Sequence, residues 1–174
     1  MTQPTPVAVP LEARISPEYQ SMQREMHETM PHYGTSSDHI VSEVRRLIKE
    51  YNVTSILDYG CGKGNLRPVL GEFVVEYDPA IPGKEADPNP CDMVVCTDVL
   101  EHIEPEKLGA VLEHIRQKCF RVAMFIIATR PASKNLPDGR NAHLIIENAD
   151  WWKEKLSVGF DIKQWDIDPD LRGV

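Results

Sequence analysis

Short apolar segments alternate with helical patterns, and this alternation constrains the fold more than any other feature of the chain. Four segments are rich in β-branched residues, and several are apolar on both faces: "VTSIL" (53–57), "EFVVEY" (72–77), "DMVVCT" (92–97) and "RVAMFIIAT" (121–129). Strands of this kind are typical of parallel sheets, whose two faces are both covered by helices. The sequence therefore predicts an α/β domain with a mostly parallel sheet.

Helices are predicted at 36–50, 104–118 and 148–156, and a last strand is predicted at 159–167. The first helix has apolar residues at helical spacing after the capping candidates Ser36, Ser37 and Asp38. The second has Pro105 in its first turn, where proline is favoured. Segment 78–90 holds four prolines and a single large apolar residue, Ile81, so no full crossover helix is expected there.

Composition and charge exclude several classes of protein. The 174 residues suffice for one domain, predicted over 16–174 after an extended, proline-containing arm at 1–15. A net charge of −8 disfavours a broad grip on duplex nucleic acid, although a local patch could still bind it. No apolar stretch reaches the length of a membrane span, and the first ten residues do not resemble a secretory signal. Four cysteines without metal-ligand pairing indicate reduced thiols in a cytoplasmic protein.

The stretch "ILDYGCGKGNL" (56–66) places three alternating glycines directly after the first predicted strand. Glycines at this position let a ligand lie against bare backbone, or allow a tight turn without any ligand. Glu76 follows 18 residues after Asp58 at the end of the second predicted strand, where a carboxylate can accept hydrogen bonds from both ribose hydroxyls. Asn65 stands where the dinucleotide fingerprint requires glycine, so a ligand with a ribose but no phosphate fits better.

These motifs, together with "VEYDP" and "CDMVVCTDVLEHIEPEKL", resemble class I (Rossmann-like) S-adenosylmethionine-dependent methyltransferases between about Val53 and Thr129. The resemblance implies a single Rossmann-like, doubly wound α/β fold with flanking helices, shortened after the second strand. It implies S-adenosylmethionine as the cofactor and a methyltransferase as the activity. Motifs of DNA amino-methyltransferases and cytosine-C5 enzymes are absent after the strand at 92–97, where "TDVL" stands instead.

Residue by residue, the resemblance assigns the methionine half of the cofactor to Asp58 and the glycines, and the ribose to Glu76, with Asp78 as a competing acid. Tyr77 would lie near the adenine, and Asp87 matches an acid that faces the adenine amino group. The complete implied cofactor set is Asp58, Tyr59, Gly60, Cys61, Gly62, Gly64, Glu76, Tyr77, Asp87 and Thr97.

The segment "DVLEH" holds the candidate catalytic residues Asp98, Glu101 and His102, and His143 follows the last apolar strand. Three interpretations stay open: helix capping, a general base or substrate anchor, and a divalent metal site. The segment resembles Glu-x-x-Glu-His in small-RNA 2′-O-methyltransferases and ubiquinone-pathway O-methyltransferases, where these residues hold a metal. Asp98 replaces the first Glu of that pattern.

Residues before the first strand often cover the active site in the resembled family, and Tyr19, His27, His32 and Tyr33 lie there. The predicted function is methyl transfer to an oxygen or nitrogen of a small polar molecule. One alternative is metal-assisted methylation of a ribose hydroxyl in RNA or a nucleotide. Another is a non-catalytic S-adenosylmethionine-binding partner or sensor.

Overall fold

A parallel sheet lies at the centre of the computed structural model, which describes residues 7–34 and 40–167. Over these residues the sheet has four strands, β1 (Ile56–Tyr59), β2 (Val74–Tyr77), β3 (Cys91–Thr97) and β4 (Cys119–Ile126). Their order is β2-β1-β3-β4, and each pairing is parallel. The predicted α/β class and parallel sheet are confirmed.

Helices cover both faces of this sheet. They are α1 (Leu11–Arg14), α2 (Pro17–Thr29), α3 (Val41–Tyr51), α4 (Arg67–Leu70), α5 (Leu108–Lys118) and α6 (Ala149–Ser157), with 3-10 turns at Leu100–His102 and Pro105–Lys107. Three of them confirm the helices predicted near 36–50, 104–118 and 148–156, although the capping candidates Ser36, Ser37 and Asp38 lie outside the described residues. Within the described ranges, no helix is both long and apolar enough to cross a membrane.

Alternate residues of β3 enter two separate cores. Val94 and Cys96 pack with α5 and α6, where Trp152 is fully buried. Met93 and Val95 pack on the opposite face, with the apolar side of α3. Burial on both faces explains why the strand reads as a continuous apolar run.

The last predicted strand is wrong. Residues 161–167 adopt neither helix nor strand, and the sheet of the described residues ends at β4. Phe160, Ile162 and Trp165 instead pack by their side chains against the α5–α6 core, with the rings of Phe125 and Phe160 5.1 Å apart. These alternating apolar side chains are thus partly buried against the core although their backbone does not pair with the sheet.

The N-terminal segment also differs from the prediction, because part of the expected extended arm forms α1. Segment 78–90 contains no helix, as expected, and α2 contacts it through two side-chain hydrogen bonds. Gln20 Nε2 donates to the carbonyl of Pro79 at 2.5 Å, and Arg24 Nε donates to that of Ala80 at 3.4 Å.

Residues 31–34 lie directly on the glycine loop. Gly62 has a left-handed φ of +52°, and a Cβ added there would lie 2.7 Å from the carbonyl oxygen of Gly34. The amide of Lys63 donates to that same oxygen at 3.1 Å. Lys63 Nζ also donates to the carbonyls of Met30 and Pro31, at 3.0 and 2.8 Å. Glycine is needed at position 62 because two backbones meet there.

We predict that Gly62→Ala destabilises the protein more than Gly83→Ala does. Both glycines have left-handed φ, so each substitution carries a strain of about 1–2 kcal/mol. Only Gly62 adds a clash with backbone, and such overpacking costs about 1–3 kcal/mol more. Urea unfolding of both variants measures the difference, and equal losses of unfolding free energy would contradict the close approach of Gly34 to the loop.

Candidate active site

A cavity of about 370 Å³ opens at the carboxyl ends of β1 and β3. Ligands of open α/β sheets bind at this position, where the strand order changes direction. Its walls come from α1, α2 and residues 31–34 on one side, and from the glycine loop, the end of β3 and the loop 128–143 on the others. The expected cover before the first strand is present, because Tyr19, His27, His32 and Tyr33 all line the cavity.

The predicted cofactor residues divide into two groups. Tyr59, Gly60, Gly62 and Tyr77 line the cavity. The other six, Asp58, Cys61, Gly64, Glu76, Asp87 and Thr97, are not among its lining residues. Asp58, in β1, and Cys61, within the glycine loop, are both buried.

Glu76 is not among the residues that line the cavity, and it is paired with Lys84, whose Nζ lies 3.3 Å from its carboxylate. Its register partner in the sheet is Asp58, so the two carboxylates share one face. Burial, with the charge of Glu76, raises the pKa of Asp58 to about 7. The space that Glu76 occupies is the space that a side chain on Gly64 would need.

Of the two competing acids, Asp78 lines the cavity and Glu76 does not. Its Oδ2 accepts from the amide of Gly62 at 3.0 Å, and its Oδ1 accepts from that of Ala80 at 2.9 Å. These bonds fix the carboxylate at the end of β2, one residue past Tyr77. The sequence could have indicated Asp78 by its position, because it directly follows the predicted strand. Side chains inside a strand point to the faces of the sheet, whereas a residue just past the strand can reach its carboxyl edge.

Arg14 lines the cavity next to Tyr77, and the sequence analysis did not predict it as a site residue. The guanidinium is only 6% exposed, donates to the hydroxyl of Tyr77 at 2.6 Å and lies 3.3 Å from Asp87. His114 joins the cluster, with Nε2 donating to Asp87 at 2.8 Å and Nδ1 lying 2.9 Å from the hydroxyl of Tyr59. Burial and the neighbouring Arg14 lower the pKa of His114 to about 4, which keeps its ring neutral.

Asp87 therefore lies behind Arg14, outside the cavity lining. Lys118 Nζ also donates to it, at 2.5 Å, and these cationic and hydrogen-bonding partners hold the pKa of Asp87 below its ordinary value despite a cost of burial. The acid expected to face the adenine instead anchors the guanidinium that does line the cavity.

His102 and His143 line the other end of the cavity, and Glu101 is buried next to them. Each offers one ligand atom, and these atoms all lie within 4.8 Å of one another. The imidazole rings are T-shaped, with centroids 4.7 Å apart. His102 Nδ1 lies 2.8 Å from the carbonyl of Ala142, and His143 Nδ1 lies 2.6 Å from that of Arg130. A carbonyl only accepts, so both Nδ1 atoms carry hydrogen and both Nε2 atoms keep a lone pair.

Glu101 is fully buried and half satisfied. Its Oε1 accepts from the amide of Ala128 at 2.8 Å, whereas Oε2 is buried with no hydrogen-bond partner. Burial raises the pKa of Glu101 to about 8, and burial together with His143 lowers the pKa of His102 to about 3. Asp98 lines the cavity with a left-handed φ of +53° but stands outside this three-residue cluster.

The two tryptophans of α6 lie outside the cavity lining, and Trp152 packs in the core. Of the four predicted catalytic residues, Glu101, His102 and His143 are therefore adjacent. Asp98 lines the same cavity as the two histidines.

Comparison with known proteins identifies the family of the chain. A family model described as a methyltransferase domain matches residues 22–155, which is most of the chain. A solved structure described as a DhpI–SAH complex is similar, with a TM-score of 0.52, 20% sequence identity, and coverage of 84% of this chain and 85% of that one. No curated protein matches the sequence significantly. The chain belongs to the methyltransferase domain family, as a class I S-adenosylmethionine-dependent methyltransferase.

Proposed function

We propose that this enzyme transfers the methyl group of S-adenosylmethionine to an oxygen or nitrogen atom of a small polar molecule. The observation that carries the proposal is that one cavity joins the glycine loop and Asp78 to the paired imidazoles of His102 and His143. Its volume of about 370 Å³ lies near the lower end of the range of about 300–1,000 Å³ that ligand pockets span. Cofactor and acceptor must share this volume, which favours a small acceptor.

The cavity suggests one orientation for the cofactor. The methionine part lies against the backbone of Gly60 and Gly62, and the ribose hydroxyls donate to Asp78. The adenine lies between Tyr77 and Arg14, whose N–H groups suit the ring nitrogens of adenine because these accept hydrogen bonds. This orientation points the sulfonium towards the imidazole end.

Methyl transfer requires mainly positioning, because the sulfonium is already activated. The acceptor atom forms a bond to the methyl carbon while the carbon–sulfur bond breaks, and sulfur keeps the electron pair. The proton of the acceptor is lost to a lone pair of the imidazole cluster or to water. His102, with a pKa of about 3, is a weak base near neutral pH.

Product detection tests the proposed function directly. The protein is incubated with methyl-labelled S-adenosylmethionine and panels of small metabolites, nucleotides and RNA. Labelled small product supports the proposal, whereas label in RNA supports the ribose alternative. Cofactor binding without transfer to any acceptor supports a non-catalytic binding protein.

We predict that Asp78 contributes more to cofactor affinity than Glu76. Asp78→Asn keeps the shape of the side chain and removes the charged acceptor for the ribose. Hydrogen bonds to charged groups contribute about 1.5–3 kcal/mol, so the Kd for S-adenosylhomocysteine should rise at least about 10-fold. Glu76→Gln should change it less than about 3-fold, because Glu76 faces Lys84. Calorimetry measures both values, and the reverse ranking would return the ribose to Glu76.

We predict that Arg14→Met also weakens S-adenosylhomocysteine binding, by about 10-fold, because it removes a charged donor worth about 1.5–3 kcal/mol. Arg116→Met is a matched control, since Arg116 is an exposed residue on α5 that pairs with Glu113. Circular dichroism and urea unfolding report folding separately. Unchanged affinity in a folded Arg14→Met protein would show that the guanidinium only supports the wall.

A divalent metal is a second proposal, favoured by the unpartnered Oε2 of Glu101. The residues fit such an ion, because two imidazole Nε2 atoms and one carboxylate oxygen form a common ligand set. The carbonyls that accept from both Nδ1 atoms orient the rings as second-shell partners do in metal sites. Bound there by Glu101, His102 and His143, the ion would polarise the acceptor oxygen and lower its pKa.

We predict that the chelator-treated protein binds Co²⁺ or Mn²⁺ at one site and that His143→Ala reduces this affinity at least about 10-fold, the loss expected when a metal ligand environment is disturbed. Calorimetry and the visible absorption of bound Co²⁺ give readouts independent of activity. His32→Ala is the control, because His32 lines the same cavity outside the cluster. Equal Co²⁺ spectra for both variants would leave the cluster as a base or capping group.

A further inference from the structure

The loop 128–143 brings two cations to the imidazole end of the cavity. Lys134 and Arg130 both line it, beside His102 and His143. The chain as a whole carries a net charge of −8, so the two cations at this end are opposite in sign to the net charge of the protein.

Lys134 is held over the acceptor end by an aromatic ring. Its Nζ lies 5.3 Å from the centroid of the Tyr33 ring, within the range of a cation–π contact. Tyr33 in turn packs edge-on against His102, with centroids 6.0 Å apart. The positive charge of Lys134 contributes to the lowered pKa of His102, so both groups share one local environment. Within residues 7–34 and 40–167, no carboxylate forms an ion pair with Lys134.

The acids of the cavity lie at other places. Asp78 accepts from two amides at the glycine loop. Glu104 accepts from the amide of Ser16 at 2.8 Å, at the start of α2. Asp98 follows β3 on the path between the two ends, and its charge adds to the raised pKa of Glu101. Asp78 and Glu104 therefore have amide partners of their own, Asp98 lies between the two ends, and the cations Lys134 and Arg130 lie on the loop 128–143.

We propose that the methyl acceptor carries an oxyanion, a carboxylate or phosphate group, that is bound by Lys134 and by Arg130 nearer the solvent. This inference rests on the proposed function and names the substrate class of the same site. Charge-assisted hydrogen bonds to such a group are stronger than neutral ones, and lysine binds phosphate as a point charge. Anchored there, the oxyanion places a neighbouring oxygen or nitrogen of the same molecule towards the sulfonium.

The test uses inorganic phosphate and acetate as probes, with acetamide as the neutral match for acetate. Calorimetry at low ionic strength measures their binding to the full chain, with and without saturating S-adenosylhomocysteine. We expect phosphate or acetate to bind, acetamide to bind at least 10-fold more weakly, and Lys134→Gln to weaken the anion at least 10-fold. Lys134→Arg should restore part of this loss. Lys49→Gln, on the exposed side of α3, should bind the anion normally.

The outcomes separate this inference from the proposed function. Anion binding that is absent from the wild type, or equal in Lys134→Gln and wild type, overturns the oxyanion site even when S-adenosylhomocysteine binds normally. Anion binding that depends on Lys134 supports the site. Whether phosphate or acetate binds more tightly then indicates whether the acceptor carries a phosphate or a carboxylate. Failure of S-adenosylhomocysteine to bind the wild type overturns the proposed function, whatever the anions do.

Once an acceptor is found, Lys134→Gln should raise its KM at least 10-fold with a smaller change in kcat. An equal KM for the anionic acceptor and its uncharged ester or amide would overturn the inference.

Discussion

The close contact between Gly34 and Gly62 determines how the cavity is closed. Two backbone segments approach there within the distance that a Cβ would occupy, so residues 31–34 lie directly on the glycine loop. A buried chain of hydrogen bonds extends from the segment at this contact to His102. The hydroxyl of Tyr33 donates to Gln23 at 2.8 Å, Gln23 donates to the hydroxyl of Tyr19 at 2.6 Å, and that hydroxyl donates to the carbonyl of His102 at 2.5 Å. Moving the cover would leave buried polar groups unpaired, so the N-terminal segment and His102 hold one another in place.

The shortened segment 78–90 explains why the N-terminal residues carry so much of the site. A doubly wound sheet normally has a crossover helix after this strand, and here α2 contacts the segment instead, through bonds from Gln20 and Arg24 to the carbonyls after β2. Arg14 enters from the same direction and separates Asp87 from the cavity. A buried arginine next to Asp87 and the neutral His114 has its charge partly compensated, which makes its burial tolerable.

Local signals in the sequence were sufficient for the strands, the glycine loop and the helices α3, α5 and α6, because each depends on periodicity or on a backbone need within a few residues. The strand predicted at 159–167 failed because alternation reports a half-buried segment, and Phe160 and Trp165 achieve burial by packing alone. Arg14 lies 63 residues from Tyr77 and 100 from His114, and no local pattern encodes such a meeting. The end of β2 at Tyr77 agrees with the predicted strand 72–77, so the strand boundary does not decide between Glu76 and Asp78. The two acids differ in their partners, Lys84 for Glu76 and the amide of Gly62 for Asp78, and no local pattern encodes these contacts.

Charge in the cavity is distributed in a way that suits a cationic methyl donor. The sulfonium carries a positive charge that is lost on transfer, so a second positive charge beside it would weaken binding of the donor. His102 avoids this conflict because its pKa of about 3 keeps the ring uncharged near neutral pH. Glu101, with a pKa of about 8, is largely protonated at the same pH, because burial disfavours its charge and Oε2 has no partner. A cation between these residues would reverse that balance and ionise Glu101, releasing a proton as it binds. With His102 and Glu101 uncharged, the cations Lys134 and Arg130 would be complemented by the negative charge of the proposed acceptor.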